Sequence, residues 1–230
     1  MTKVINKDRK YLLLNARKRI EEKNLDLFKK LINERSKGKP ISYLTNKKSF
    51  WNSEFYITED TLIPRPDSEL IVENALNLTK NKNNLSILDI GVGSGCILLS
   101  ILQQRKDFYG TGLDVSKNCL KITYKNAINL NIHSRLKLFN SNVDKFAFGK
   151  YDLIVSNPPY IKKHILKYLD KGVAQFEPKL ALDGGIDGLS EIRKAIKKSS
   201  ELIKKNGNFI LEIGFDQKNK VINLLKKKGF

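Results

Sequence analysis

Residues 8 to 35 place Leu12, Leu13, Ala16 and Ile20, then Leu25, Phe28, Leu31 and Ile32, at the three-to-four spacing of amphipathic helices. A break near Lys23 and Asn24 divides the run, so the pattern predicts two short helices, and Gly38 and Pro40 stop the second. Phe50, Trp51, Phe55, Tyr56 and Ile57 then flank Asn52 and Ser53, which predicts a short β-hairpin. The stretch TLIPRP that follows is extended, because a proline holds the residue before it out of the helical region. Asp67 or Ser68 is placed to cap a helix carrying Glu69, Leu70, Val72, Ala75 and Leu76.

From Leu85 the apolar pattern changes to short continuous runs separated by turns and helical segments. Such runs are buried on both faces, the mark of a parallel sheet covered by crossover helices, and the fold class expected is α/β. The predicted strands are Ser86 to Ile90, Tyr109 to Asp114, Leu136 to Phe139, Asp152 to Ser156 and Asn208 to Ile213. The expected division is a short helical segment over 1–38, a hairpin and linker over 39–66, and the catalytic domain over 67–230.

Composition narrows the class only slightly. Apolar residues are 40% and charged residues 29% of 230, a globular balance. The first 23 residues return to charge within a few positions of their apolar cluster, which argues against a leader or membrane span and for a cytoplasmic protein. Cys96 and Cys119 form no CxxC pair and His133 and His164 lie far apart, so no metal site is expected. The net charge of +19 admits a nucleic-acid partner. The excess is lysine, is scattered along the chain and accompanies many Asn and Ile residues, which fits the codon bias of an A+T-rich genome better than a dedicated surface, so no stable nucleic-acid partner is expected.

Candidate chemistry gathers at the ends of predicted strands. The run ILDIGVGSG places Gly91, Val92, Gly93, Ser94 and Gly95 between a strand and a helix, where the backbone turns tightly and admits a ligand. Asp114 follows at the end of the second strand, spaced to accept hydrogen bonds from two ribose hydroxyls. The spacing is GxGxG, and Asp89 stands before the loop. Its charge disfavours a pyrophosphate but suits the cationic groups of S-adenosyl-L-methionine, alongside a structural role in bonding loop amides. Asn142 is the candidate acceptor for the adenine amino group.

The fourth strand runs into Asn157, Pro158, Pro159 and Tyr160, next to the same crevice. Asn and Pro commonly form plain turns, and NPPY has that ordinary reading. Its placement suggests more. An amide nitrogen is a poor nucleophile because its lone pair is delocalised. The Asn157 side-chain oxygen and the Pro158 carbonyl can each accept a hydrogen bond from an NH2 group, directing its lone pair toward a methyl donor that Asn157 also borders. Pro159 adds rigidity, and Tyr160 can lie against the planar group.

GKPISYL, LIPRPDSELIVE, ILDIGVGSGCI, GLDVS, DLIVSNPPYI and EPKLALDGGIDGL together resemble the release factor glutamine methyltransferases, over roughly residues 25 to 230. The resemblance implies a Rossmann-like class I methyltransferase sheet with helices on both faces, preceded by a short helical segment and a hairpin. It implies methyl transfer from S-adenosyl-L-methionine to the GGQ-loop glutamine of class I peptide-release factors, with NPPY holding the glutamine amide. RPDSE, with Arg65 and Glu69, corresponds to a family signature near the active site. This sequence departs from the pattern in three respects. Asn142 stands where Asp is usual, the helical amino-terminal part is expected to be shorter, and the final pair of strands is expected to be absent, which would leave the strand at Asn208 to Ile213 with an unpaired edge. Two other functions suit the same residues: an amino methyltransferase acting on adenine or guanine in nucleic acid, and a non-catalytic protein retaining the fold.

Overall fold

A computed structural model describes residues 1–230 as two compact units, Met1–Asn46 and Lys47–Phe230. The first unit holds α1 (Thr2–Ile5), α2 (Arg9–Leu14), α3 (Glu22–Ser36) and α4 (Ile41–Thr45). Two helices were predicted here; α1 and α4 are too short to register as periodic patterns. The break lies at residues 15–21, earlier than Lys23, because Glu22 already opens α3. Asp8 caps α2 by accepting from the Tyr11 amide at 2.7 Å. Val4 and Tyr43 are the buried apolar side chains of this unit, and Leu13 and Leu14 are exposed.

The second unit opens with the predicted hairpin, β1 (Lys47–Phe50) and β2 (Ser53–Tyr56), paired antiparallel about Trp51 and Asn52. Phe50 and Phe55 are buried and meet edge to face at 6.2 Å. Asn126 binds the hairpin to the glycine loop: its side chain accepts from the Tyr56 amide and donates to the Tyr56 and Ser94 carbonyls. The larger unit therefore begins at Lys47 and includes the hairpin.

A 3-10 turn, Pro66–Ser68, leads into α5 (Glu69–Leu78). Ser68 is the N-cap residue, but its side chain caps nothing; the hydroxyl points elsewhere, as described below. The sheet then follows: β3 (Ser86–Ile90), α6 (Cys96–Gln104), β4 (Tyr109–Asp114), α7 (Lys117–Asn129), β5 (Leu136–Asn140), β6 (Tyr151–Ser156), α8 (Lys171–Phe176), α9 (Ser190–Leu202), β7 (Ile203–Leu211) and α10 (Lys218–Lys226). All five strands are parallel, in the order β5-β4-β3-β6-β7, and the order reverses at β3. The α/β expectation holds, with β7 as an outer strand.

Both sheet faces are covered. Leu88, Ile90 and Leu113 pack with Ile154 and with Leu202 of α9, while Gly110 on the opposite face lets Leu98 and Leu102 of α6 reach the backbone. Leu98, Leu99, Ile101 and Leu102 are fully buried, so truncating one to alanine costs about 2–5 kcal/mol. The last strand starts earlier than predicted, at Ile203, and ends at Leu211. Its first half reads as a polar turn because it contains one: Asn206 takes a positive φ, and the pairing with β6 skips from Tyr151↔Ile203 to Leu153↔Asn208.

Candidate active site

The register levels the strand ends. Ile90 lies beside Leu113 on one side and Ser156 on the other, so Gly91, Asp114 and Asn157 emerge together at the carboxyl edge where the strand order reverses. There they line one cavity of about 920 Å3, with Val92, Gly93, Ser94, Asn142, Pro158 and Pro159. That volume suits a nucleoside-sized ligand with room for part of a second molecule.

The glycine loop is held by its own backbone: the Gly91 and Val92 amides both donate to the Leu113 carbonyl, at 2.9 and 3.0 Å. Gly91, Gly93 and Gly95 all take positive φ. The loop has an open and a closed end. A Cβ on Gly91 would meet nothing, whereas one on Gly95 would meet Thr123 Cγ2 at 2.8 Å and Leu99 Cδ1 at 2.9 Å. Gly91 thus leaves its backbone open to a ligand, and Gly95, outside the cavity wall, lets α6 and α7 close behind it.

Asp114 accepts from the Gly93 amide at 3.0 Å through Oδ2 and from the Ser116 amide at 2.8 Å through Oδ1. Each oxygen retains a lone pair for a ligand hydroxyl. Burial raises its pKa above the ordinary value, and the two amides pull it back. Asn142 is exposed at the far wall, and its Oδ1 accepts from the Asp144 amide at 3.0 Å.

Asp89 is placed differently from its neighbours: it is 1% exposed, outside the cavity wall, and its Oδ1 has no hydrogen-bond partner. Burial, reinforced by the Asp114 charge, pushes its pKa up to about 7. The sign of the consequence is fixed. The folded state holds the Asp89 proton up to about pH 7, the unfolded chain only to its ordinary 3.8, so stability falls as pH rises across that window. Asp89→Asn is therefore expected to raise the melting temperature of the ligand-free protein at pH 8 and to change it little at pH 4. Melting curves at the two pH values check this; a lower midpoint at pH 8 would contradict it.

This donor set fits S-adenosyl-L-methionine. Asp114 has acceptor positions suited to ribose hydroxyls and Gly91 an open backbone, while the buried Asp89 carboxyl below the loop has an unsatisfied oxygen and would ionise more readily beside a bound cation. Cys96 and Cys119 also line the cavity, but burial pushes both thiols up to about 12, so neither supplies a thiolate.

Asn157 Nδ2 donates to Ser68 Oγ at 2.9 Å. Its Oδ1 and the Pro158 carbonyl accept nothing from the protein, which leaves an unused acceptor on each of two consecutive residues that line the cavity. Tyr160 falls outside the wall: its hydroxyl donates to Glu212 at 3.3 Å and its side chain packs against the buried cluster of Leu189, Ile192, Ile196 and Val221. The segment after it is clamped. Ile161 and Asp183 form a β-bridge, the Gln217 amide donates to the Tyr160 and Gly188 carbonyls, and a Cβ on Gly184 would come within 2.8 Å of Tyr160 Cα. Gly184 and Gly188 of ALDGGIDGL thus pack closely against the end of NPPY.

Within RPDSE, Arg65 and Ser68 line the cavity. Arg65 pairs with Glu177 at 2.5 Å, while the other Glu177 oxygen accepts from the Ile63 amide. Glu69, also expected near the active site, turns away and accepts from the Trp51 amide at the hairpin turn. Sequence reasoning missed Ser68 as a site residue, and missed Glu212 and Gln217 entirely. No local pattern surrounds the last two, and their partners are distant in sequence.

Residues 67–184 match the family model described as Methyltransferase small domain, and residues 1–45 match the PrmC N-terminal domain. The Release factor glutamine methyltransferase of Clostridium acetobutylicum is 36% identical over 230 residues, 99% of this chain and 81% of that protein. The protein of the same name from Caulobacter vibrioides is 36% identical, over 86% of this chain and 69% of its own length. Among solved structures, the ribosomal protein L11 methylase from Lactobacillus delbrueckii subsp. bulgaricus superposes with a TM-score of 0.53 at 17% identity, covering 75% of this chain and 73% of that one. That likeness concerns the fold alone.

Proposed function

The chain belongs to the release factor glutamine methyltransferase family, and on that premise we propose that it methylates the side-chain amide nitrogen of the GGQ-loop glutamine in a class I peptide-release factor. S-adenosyl-L-methionine supplies the electrophilic methyl group. The observation that carries the reading is the pair of free acceptors, Asn157 Oδ1 and the Pro158 carbonyl, in the same cavity as Asp114 and Gly91.

Each acceptor takes one hydrogen of the glutamine NH2, which fixes the plane of the amide and turns the face of its nitrogen toward the methyl donor. As positive charge grows on that nitrogen, the two oxygens are already aimed at it, so stabilising it needs no reorganisation. Pro158 lacks an N–H and brings no competing donor. Asp114 and the glycine loop hold the nucleoside while the acceptor end stays open.

Action on release factors also implies a cytoplasmic place of work, and no helix of the chain is long and apolar enough to cross a membrane. The alternative of adenine or guanine methylation is not favoured, because the relatives are named for glutamine. The two are separated by offering the enzyme labelled S-adenosyl-L-methionine with purified release factor and RNA together. Label is expected in the protein; label confined to RNA would reverse the choice.

A further inference from the structure

Resting on that role for Asn157, we propose that Glu212 and Ser68 form a positioning relay that fixes which way the Asn157 side-chain amide faces. The three residues come from separate elements: Ser68 precedes α5, Asn157 follows β6, and Glu212 follows β7. Ser68 Oγ lies 2.6 Å from Glu212 Oε2 and 2.9 Å from Asn157 Nδ2. Glu212 is itself anchored, its amide donating to the Ser156 carbonyl at 3.0 Å, one residue before Asn157.

The direction of every bond follows from the carboxylate. An ionised carboxylate only accepts, so Ser68 must donate its single hydroxyl hydrogen to Glu212. Ser68 Oγ can then only accept from its other neighbour, and Asn157 must present its NH2 there. The Asn157 oxygen is left facing the cavity, where an acceptor is required. Tyr160 donates to the second Glu212 oxygen at 3.3 Å. Burial, and then the Glu212 charge, raise the Tyr160 pKa and keep it a donor.

Were Asn157 reversed, its NH2 would face the NH2 of the substrate, donor against donor, and its dipole would oppose the charge that develops. Ser68 and Glu212 need not touch the substrate for this; they act through Asn157. Ser68 is 2% exposed, so water does not readily replace its partners.

The relay predicts a change of sign that a purely structural contact would not give. Glu212→Gln keeps the shape but adds a donor, so Ser68 is free to donate to a reversed Asn157; the single-turnover rate is expected to fall roughly 10-fold or more. Asn157→Asp alone should also be poor, because two carboxylates then compete for one Ser68 hydrogen. Combining it with Glu212→Gln restores the pattern: the glutamine donates to Ser68, and Ser68 donates to the aspartate. The combined variant should therefore outrun Asn157→Asp alone by roughly 10-fold.

The experiment measures single-turnover methylation of release factor by these variants, by Asn157→Ala, and by Ser68→Ala and Ser68→Thr. Melting curves and cofactor affinity are recorded for each. A Glu212→Gln effect of the same sign in both backgrounds, or in neither, overturns the relay. If the Glu212 variants fail to fold, the Ser68 pair decides: threonine should restore most of the rate that alanine loses, and equal rates overturn the proposal. A wild-type rate in Asn157→Ala would instead remove the reading of Asn157 on which the relay rests.

Discussion

Asn157→Ala is expected to lower methyl transfer by roughly 100-fold or more, the scale of losing one preorganised polar contact to a charge that develops in the transition state. Cofactor affinity should hardly change. The side chain hydrogen-bonds Ser68 through Nδ2 and leaves Oδ1 to the acceptor, so its removal takes away a contact that strengthens as charge develops on nitrogen. Stability should fall only modestly, since Ser68 keeps its bond to Glu212. Single-turnover rates and calorimetric cofactor binding on the same preparation separate the two effects. A large loss of cofactor affinity with an unchanged rate at saturation would show that Asn157 serves the cofactor and not the acceptor.

Asp114→Ala should do the opposite and act on cofactor binding first. A hydrogen bond to a charged group contributes about 1.5–3 kcal/mol, so two ribose contacts make a loss of roughly 100-fold in affinity a conservative expectation. The substitution also frees the Gly93 and Ser116 amides, which the carboxylate now holds at 3.0 and 2.8 Å, so the glycine loop loosens as well. Asp114→Asn separates these contributions, because an amide oxygen can still accept from the loop. Calorimetric titration is the check: unchanged affinity in folded Asp114→Ala would mean the nucleoside lies elsewhere.

Much of this arrangement is legible in the sequence, for a local reason. A buried parallel strand is a short apolar run, and in this fold ligand groups sit just beyond its carboxyl end, so β3, β4 and β6 point directly to Gly91, Asp114 and Asn157. What failed to show was long-range or conformationally unusual. Ser68 looks like a helix cap because Ser before an apolar helix commonly is one, yet its hydroxyl is drawn to Glu212, 144 residues away. Glu212 carries no pattern at all. The ALDGGIDGL motif does not say what its glycines do, and only the structure shows that Gly184 lets Tyr160 Cα approach. The first half of β7 hides behind the polar residues Lys204 to Asn206, which leave the ladder before Asn208 returns to it.

If this cavity delivers a methyl group to a glutamine amide nitrogen, the position of the transferred methyl will show it. Purified release factor would be methylated to completion, digested and sequenced by fragment mass spectrometry, alongside a release factor whose GGQ glutamine has been replaced. A single added methyl group is expected on the side-chain nitrogen of that glutamine, and none on the replaced protein. A methyl group on another residue, or equal methylation of both release factors, would contradict it.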